Sequence, residues 1–409
     1  MSTLSAAARR RGLISLLLDT FFMWGGFFMV IPLLSVHYVD GLGWAAASIG
    51  LVLALRQFTQ QGLTLFGGVL ADRLGAKGLI IAGLGIRVVG FVLMAHAATY
   101  AMLMASAILA AVGGALFDSP KSAAIAALTE PENRGRYYAT MGVVSSLGMT
   151  IGPLVGALLL RIDFALVAYA AAACFAICLL LTLFLLPPVR VAKNDGDILA
   201  GLKLAAHDPP FLRFTALMMG YWFMWVQLSI SLPLVAKSVS GTTDAVSWVY
   251  ALNSGMSLLL QYPLLRLAER WLRHGQILIG GVVAMALGLG AVALAHSVPV
   301  LLMCVALFSL GSLLVAPTQQ TVLANLANPV ALGSYFGVGS LALALGGGFG
   351  NFIGGWLYGL AGGVGLSALP WLTFCAVGLV AAAGLWLLDA RRQMPASQSQ
   401  NVAAPASSS

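Results

Sequence analysis

Three ionisable residues stand inside stretches that otherwise carry almost no charge: Asp19 after Leu16-Leu17-Leu18, Arg56 after Leu53-Ala54-Leu55, and Asp118 in Phe117-Asp118-Ser119-Pro120-Lys121. Burial favours the neutral form of a carboxyl and a nearby cation favours the charged one, so a carboxyl between the two can exchange protons near neutral pH. Asp19 is best placed for that chemistry; its alternative is a packing role, bonded to Thr20 or to a neighbouring helix. Arg56 is followed by Gln57, Gln60 and Gln61, with Gln60 one helical turn on. A guanidinium in mid-bilayer costs at least ~2.5 kcal/mol, so it must face protein or water. It is either a structural arginine held by carbonyls and the glutamines or a group that tunes a nearby carboxylate. Arg87 reads as a snorkelling or structural charge. The histidines, 37, 96, 207, 274 and 296, lie near loops, and no nucleophile stands beside a base. This argues against an enzyme and against a metal site or bound cofactor; a proton gradient is the expected energy source.

Hydrophobic residues make up 60% of the 409 positions and charged residues 8%. A soluble domain could not bury that much apolar surface, whereas a bilayer needs about 20 apolar residues per spanning helix. Twelve such stretches are predicted, at 13–36, 44–70, 78–97, 99–120, 137–160, 163–187, 212–236, 245–268, 276–295, 298–317, 334–358 and 366–389. They imply an N-terminal bundle over 1–187, a linker at 188–211 with an amphipathic piece around Ile198 to Leu204, a C-terminal bundle over 212–393, and a disordered tail from 394 to 409. The net charge of +8 comes from loops on one side. With both termini cytoplasmic, the outer loops hold only Arg161 and Lys237, so the basic balance is a topology signal and nucleic acid is not an expected partner. The expected partners are a small-molecule substrate, protons and the bilayer, with the protein acting as a monomer. Cys174, Cys178, Cys304 and Cys375 fall in apolar stretches and read as packing residues.

The second half repeats the first about 197 to 201 residues on. Phe22-Met23-Trp24 recurs as Phe223-Met224-Trp225, Asp72-Arg73 as Glu269-Arg270, Pro120 as Pro317, and Gly148, Gly152, Gly156 as Gly346, Gly350, Gly354. A parallel repeat in an apolar chain suggests a transporter with its site between the halves. The first helix of each half is aromatic, which offers Met23, Trp24, Phe27, Trp222 and Trp225 as walls for a flat ligand. Gln57, Gln60, Gln61, Gln227, Asn253, Gln319 and Asn351 would add neutral polar groups. No deep charge demands an anionic substrate, which argues against a phosphate or dicarboxylate carrier.

Two local motifs carry a resemblance. Gly68, Asp72, Arg73, Gly75 and Lys77, between the second and third stretches, resemble the loop 2–3 signature of the major facilitator superfamily, with Ala76 where a basic residue is common. Gly148, Gly152, Pro153 and Gly156 resemble the glycine–proline motif of its proton-coupled antiporters; Asn351 replaces the proline in the second half, so the kink-forming motif is confined to the first. The arginine that such antiporters often carry in helix 4 is absent, and Arg56 could replace it. Over nearly its whole length the chain resembles the twelve-helix drug:proton antiporters of bacterial inner membranes. That likeness implies an all-α membrane protein of two six-helix bundles, alternating access, and export of lipophilic or cationic compounds. Asp118 would then either latch helix 4 to the loop 2–3 motif, through Arg73 or Lys77, or carry a proton. A symporter or facilitator of a specific sugar or metabolite is the alternative.

Overall fold

A computed structural model describes residues 5–188, 198–328 and 331–391, with the backbone alone over 65–74, 131–136, 198–199 and 332–333 and at Ser119, Ala123, Ala126 and Ala139. In the first half the helices are α1 (Ala6–Ser35), α2 (Ala46–Leu74), α3 (Ala76–Ala95), α4 (Tyr100–Leu128), α5 (Pro131–Leu160) and α6 (Phe164–Leu185), with a π-helical turn, Val36–Gly41, extending α1. A short helix, α7 (Ile198–Ala206), precedes the second half: α8 (Pro209–Trp225), α9 (Ser231–Ser240), α10 (Asp244–Trp271), α11 (His274–Ala291), α12 (Val298–Leu326), α13 (Leu332–Gly339), α14 (Gly348–Val364) and α15 (Leu369–Ala390). Side chains mark the starts. Thr99, Asp163 and Asp208 accept backbone N–H groups at the heads of α4, α6 and α8, and prolines occupy the first turns of α5, α8, α12 and α15. Gly75, at φ +83°, makes the turn from α2 to α3 that a side chain would strain.

Ten helical stretches among the described residues are long and apolar enough to cross a membrane. The long helices outside that set, α2 and α10, span 29 and 28 residues but carry rows of polar groups. Within the first half α1 packs on α5 and α6, α3 on α4 and α6, and α2 on α4. The second half repeats this with α11 on α12 and α15 and α10 on α12. The halves meet reciprocally, α2 against α14 and α5 against α10, which is the pattern of a pseudo-two-fold axis.

One expectation about helix length needs correction. Helix α4 runs to Leu128 rather than stopping near 120, so Asp118 lies ten residues, ~15 Å, inside its end. Both halves contain irregular turns: one extends α1 in the first half, and two helices of the second half are broken. Helix α5 passes through Pro153 without a break in assignment, whereas its counterpart is split by a π-helical turn, Ala342–Gly347, between α13 and α14. The counterpart of α1 is likewise broken at Val226–Ile230, between α8 and α9. Gln227 explains how that break is tolerated: its amide nitrogen donates to Phe223 O and Gly350 O, both at 2.9 Å, while Ser231 donates to its oxygen at 2.7 Å.

The glycine ladder of α5 lies against α1. A methyl on Gly148, Gly152 or Gly156 would overlap the α1 backbone between Phe21 and Met29, so the helices touch main chain to main chain. Gly346 and Gly350 do the same against Met219 and Phe223, and Gly354 leaves room for the Gln227 carboxamide.

Candidate functional site

A cavity of about 350 Å3 lies between the halves. One side is aromatic, from Trp24, Phe27 and Phe28 of α1 and Trp222 and Trp225 of α8; the other is polar, from Arg56, Gln57, Gln60 and Gln61 of α2 with Asp118 of α4. The polar side is one connected network. Arg56 donates from Nη1 to Gln60 Oε1 and from Nη2 to Gln57 Oε1, each at 2.9 Å, and its guanidinium lies 4.9 Å from the centre of the Phe27 ring. Gln60 Nε2 then donates to Asp118 Oδ2 at 2.9 Å. The carboxamide thus bridges cation and anion across adjacent helices.

Arg87 completes this wall, a role the sequence reading did not give it. It is 4% exposed, lines the cavity, donates from Nε to Ala110 O at 3.3 Å, and stacks 5.1 Å from the Phe175 ring centre. It enters because α4 has Gly113-Gly114 here: a Cβ on Gly114 would collide with the Arg87 guanidinium and the Gln60 carboxamide. The usable signal was Gly83 and Gly90 flanking Arg87 on α3, small residues that bring α4 close enough for a long side chain to pass over it.

Asp19 is not on the cavity wall. It is wholly buried among α1, α4 and α6, where Thr182 donates to Oδ2 at 3.0 Å, Ser15 approaches at 3.5 Å, and Oδ1 has no partner. Lys121, read from sequence as a loop charge, is also buried, 6% exposed, and its Nζ donates to Thr20 Oγ1 at 2.7 Å, beside Asp19. It belongs inside because α4 continues past it. Of the deep cations, Arg56 and Arg87 line the cavity opposite Asp118, whereas Lys121 does not.

The remaining candidates divide. Met23, Trp24, Phe27, Gln57, Gln60, Gln61, Trp222, Trp225 and Asn351 line the cavity, whereas Gln227, Asn253 and Gln319 do not. Gln227 is spent on the helix break, Asn253 accepts from Ser309 at 3.0 Å in a separate niche, and Gln319 is 4% exposed within α12. Lys77 donates to Leu183 O of α6 at 2.9 Å rather than reaching α4. The side chains of Gly68, Asp72 and Arg73 lie outside the described residues, as do the linker residues 189–197 and the tail from 392. Asp118 accepts from Gln60 and lines the cavity, while its latch through Arg73 lies outside the described residues. No group of three His, Cys, Asp or Glu among the described residues could hold a metal ion.

At the end away from the termini the halves are tied together. Arg161 donates to both carboxylate oxygens of Asp244, at 2.7 and 2.9 Å, and Lys237 lies 3.6 Å from Asp40. Ser35 donates to Ser229 O at 3.2 Å and Ser247 to Pro153 O at 3.1 Å. These contacts hold the two halves together at that end.

The family model described as Major Facilitator Superfamily matches residues 16–243 and 228–408. The chain belongs to the Major Facilitator Superfamily. It is a multi-pass membrane carrier of this superfamily, not an enzyme. It is 40% identical over 373 residues to the multidrug resistance protein MdtH of Proteus mirabilis (strain HI4320), covering 91% of this chain and 93% of that protein. The MdtH protein of Aeromonas hydrophila is 41% identical over 372 residues, covering 91% and 94%. Among solved structures, a POT family transporter in complex with a thioalcohol-conjugated peptide superposes with a TM-score of 0.79 at 16% identity, covering 93% of this chain and 96% of that one. A point mutant of the nucleoside transporter NupG gives 0.77 at 16%, covering 93% and 99%. Those two likenesses carry the superfamily fold alone.

Proposed function

We propose that this protein is a multidrug transporter that exports flat lipophilic compounds by alternating access, driven by protons moving the other way. The observation that carries this reading is the inter-half cavity, aromatic on one side and carrying the Arg56–Gln60–Asp118 network on the other. Aromatic rings accept many flat ligands by stacking, and a carboxylate bridged to an arginine can change protonation as a ligand enters or leaves. The names of the MdtH relatives support the same substrate class. The two carboxyl groups divide the work: Asp118 faces the ligand in the cavity, and Asp19, sealed behind it with Lys121 near, is the second proton site.

The bias of basic residues supports placement in a bacterial inner membrane with both termini cytoplasmic. Contact between the halves at the opposite end then corresponds to an inward-facing state, and the bundles 1–187 and 212–393 rock about the cavity on the 188–211 linker. The protein works as a monomer, since each chain holds a complete cavity.

Arg56 and Arg87 against one Asp118 support a second reading, selective transport of a small acid-bearing solute. One experiment separates the two. Dye efflux is measured in inverted vesicles for the wild type, Asp118→Asn and Asp19→Asn, with and without a pH gradient. Efflux of several aromatic dyes that needs the gradient and is lost in Asp118→Asn is expected. Gradient-independent efflux, or transport of a single acid and no dye, would overturn the proposal.

A further inference from the structure

A second, smaller cavity of about 100 Å3 lies on the other seam between the halves, where α5 faces α8, α10 and α12. Its walls hold Asn253, Ser254, Ser257 and Gln261 of α10, with Ser146 of α5 opposite. Trp225 lines both cavities, so the two are separated by one indole.

The niche is the repeat's own copy of the polar wall already described. At the 197-residue offset Arg56 corresponds to Asn253, Gln57 to Ser254, Gln60 to Ser257 and Asp118 to Val315, while Trp24 corresponds to Trp225 at 201. The pseudo-two-fold axis that swaps the α2–α14 seam for the α5–α10 seam carries one pocket onto the other. Every charge in the first copy has become neutral in the second.

Its hydrogen-bonding balance is unequal. Asn253 Oδ1 accepts from Ser309 at 3.0 Å and Gln261 Oε1 from Ser257 at 2.9 Å, so both carboxamide oxygens are engaged inside the protein. The amide nitrogens of Asn253 and Gln261 donate to no protein group among the described residues, and Ser254, 1% exposed, has no partner for its hydroxyl. A buried donor without an acceptor, here the Ser254 hydroxyl, is costly, and more so in a bilayer, where bulk water is absent. The volume holds about three waters, or a substituent of a few heavy atoms.

We infer that this niche is a second substrate subsite, which takes a neutral oxygen acceptor, such as an amide, ester or sulfonyl oxygen, carried on an aromatic ligand whose rings lie in the central cavity. The inference rests on the export reading and adds to it the second anchor of the ligand. A charged arm is disfavoured, since nothing in the niche is ionised. The repeat thus supplies a charged subsite and a neutral one on either side of Trp225.

The test uses two naphthalene dyes that differ only by a dimethylsulfamoyl arm, transported by the wild type, Ser254→Ala and Asn253→Leu. A lost neutral hydrogen bond is worth about three- to tenfold. The armed dye is therefore expected to lose about that much transport efficiency in each variant while the plain dye keeps its rate, which also shows that the variant folds. An unchanged ratio between the dyes, the result for a niche that holds only water, overturns the inference and leaves the export reading standing. If the wild type moves neither dye, both fail, and equal loss of the two dyes in the variants overturns the subsite alone.

Discussion

Arg56 and Asp118 never touch; a single carboxamide, that of Gln60, joins them at 2.9 Å on each side. Its oxygen faces the cation and its nitrogen the anion, so the amide is correctly polarised for both. Replacing it with leucine leaves Arg56 with Gln57 alone and takes from half-buried Asp118 its Gln60 donor. Gln60→Leu should lower dye efflux at least tenfold with little change in membrane insertion, whereas Gln60→Asn, a methylene shorter, should recover only part. Equal efflux by wild type and Gln60→Leu vesicles would exclude the network from transport.

Lys121 and Asp19 should behave as compensating charges. Removing one member of a buried pair costs ~3 kcal/mol because the other is left uncompensated, whereas removing both costs far less. Lys121→Met alone should lower the melting temperature of the purified protein, and Asp19→Asn with Lys121→Met should restore most of it. Additive losses in the double variant would mean that the two do not interact.

Gly114 should resist even a small side chain. A methyl there meets the Arg87 guanidinium and the Gln60 carboxamide, so Gly114→Val is expected to destabilise by ~1–3 kcal/mol and to abolish efflux. Gly142, with nothing within 4 Å of its added Cβ, is the control, and Gly142→Ala should be silent in both assays.

The two cross-half ion pairs, Arg161 with Asp244 and Lys237 with Asp40, are partly exposed, so each contributes only ~0–1 kcal/mol. Their effect is on the balance of two states rather than on folding. Reversing one charge, as in Asp244→Arg, should raise the labelling rate of a cysteine placed at that end of the cavity. Asp244→Arg with Arg161→Asp should bring the rate back, and high salt should mimic the single variant. A rate indifferent to both would show that the pairs hold nothing shut.

Much of the fold was legible because helix length, hydropathy and the duplicated Trp24 and Trp225 are local signals read along one chain. The cavity residues of α1 and α2 were legible too, since a deep Arg56 beside three glutamines has to face something polar. Depth was not. Hydropathy ends the fourth helix near Pro120, but proline removes only one backbone hydrogen bond and neighbouring helices can hold the chain through it. Asp118 and Lys121 consequently read as the end of a helix that in fact continues past them. Arg87 was underrated because its partners, Ala110, Phe175 and Gly114, lie on two other helices.

The sequence alone determined that this is a duplicated, twelve-helix membrane protein with its mid-helix charges in the first half of the repeat, because burial in lipid constrains composition residue by residue. Only the tertiary structure decided which charges meet. It sends Asp118 to the cavity through Gln60, seals Asp19 with Lys121 behind it, and uses Gln227 to hold a broken helix instead of a ligand. The reason is physical: hydrogen bonds between helices depend on rotation and depth, which glycine contacts set to within about an ångström and which no periodicity along a single chain records.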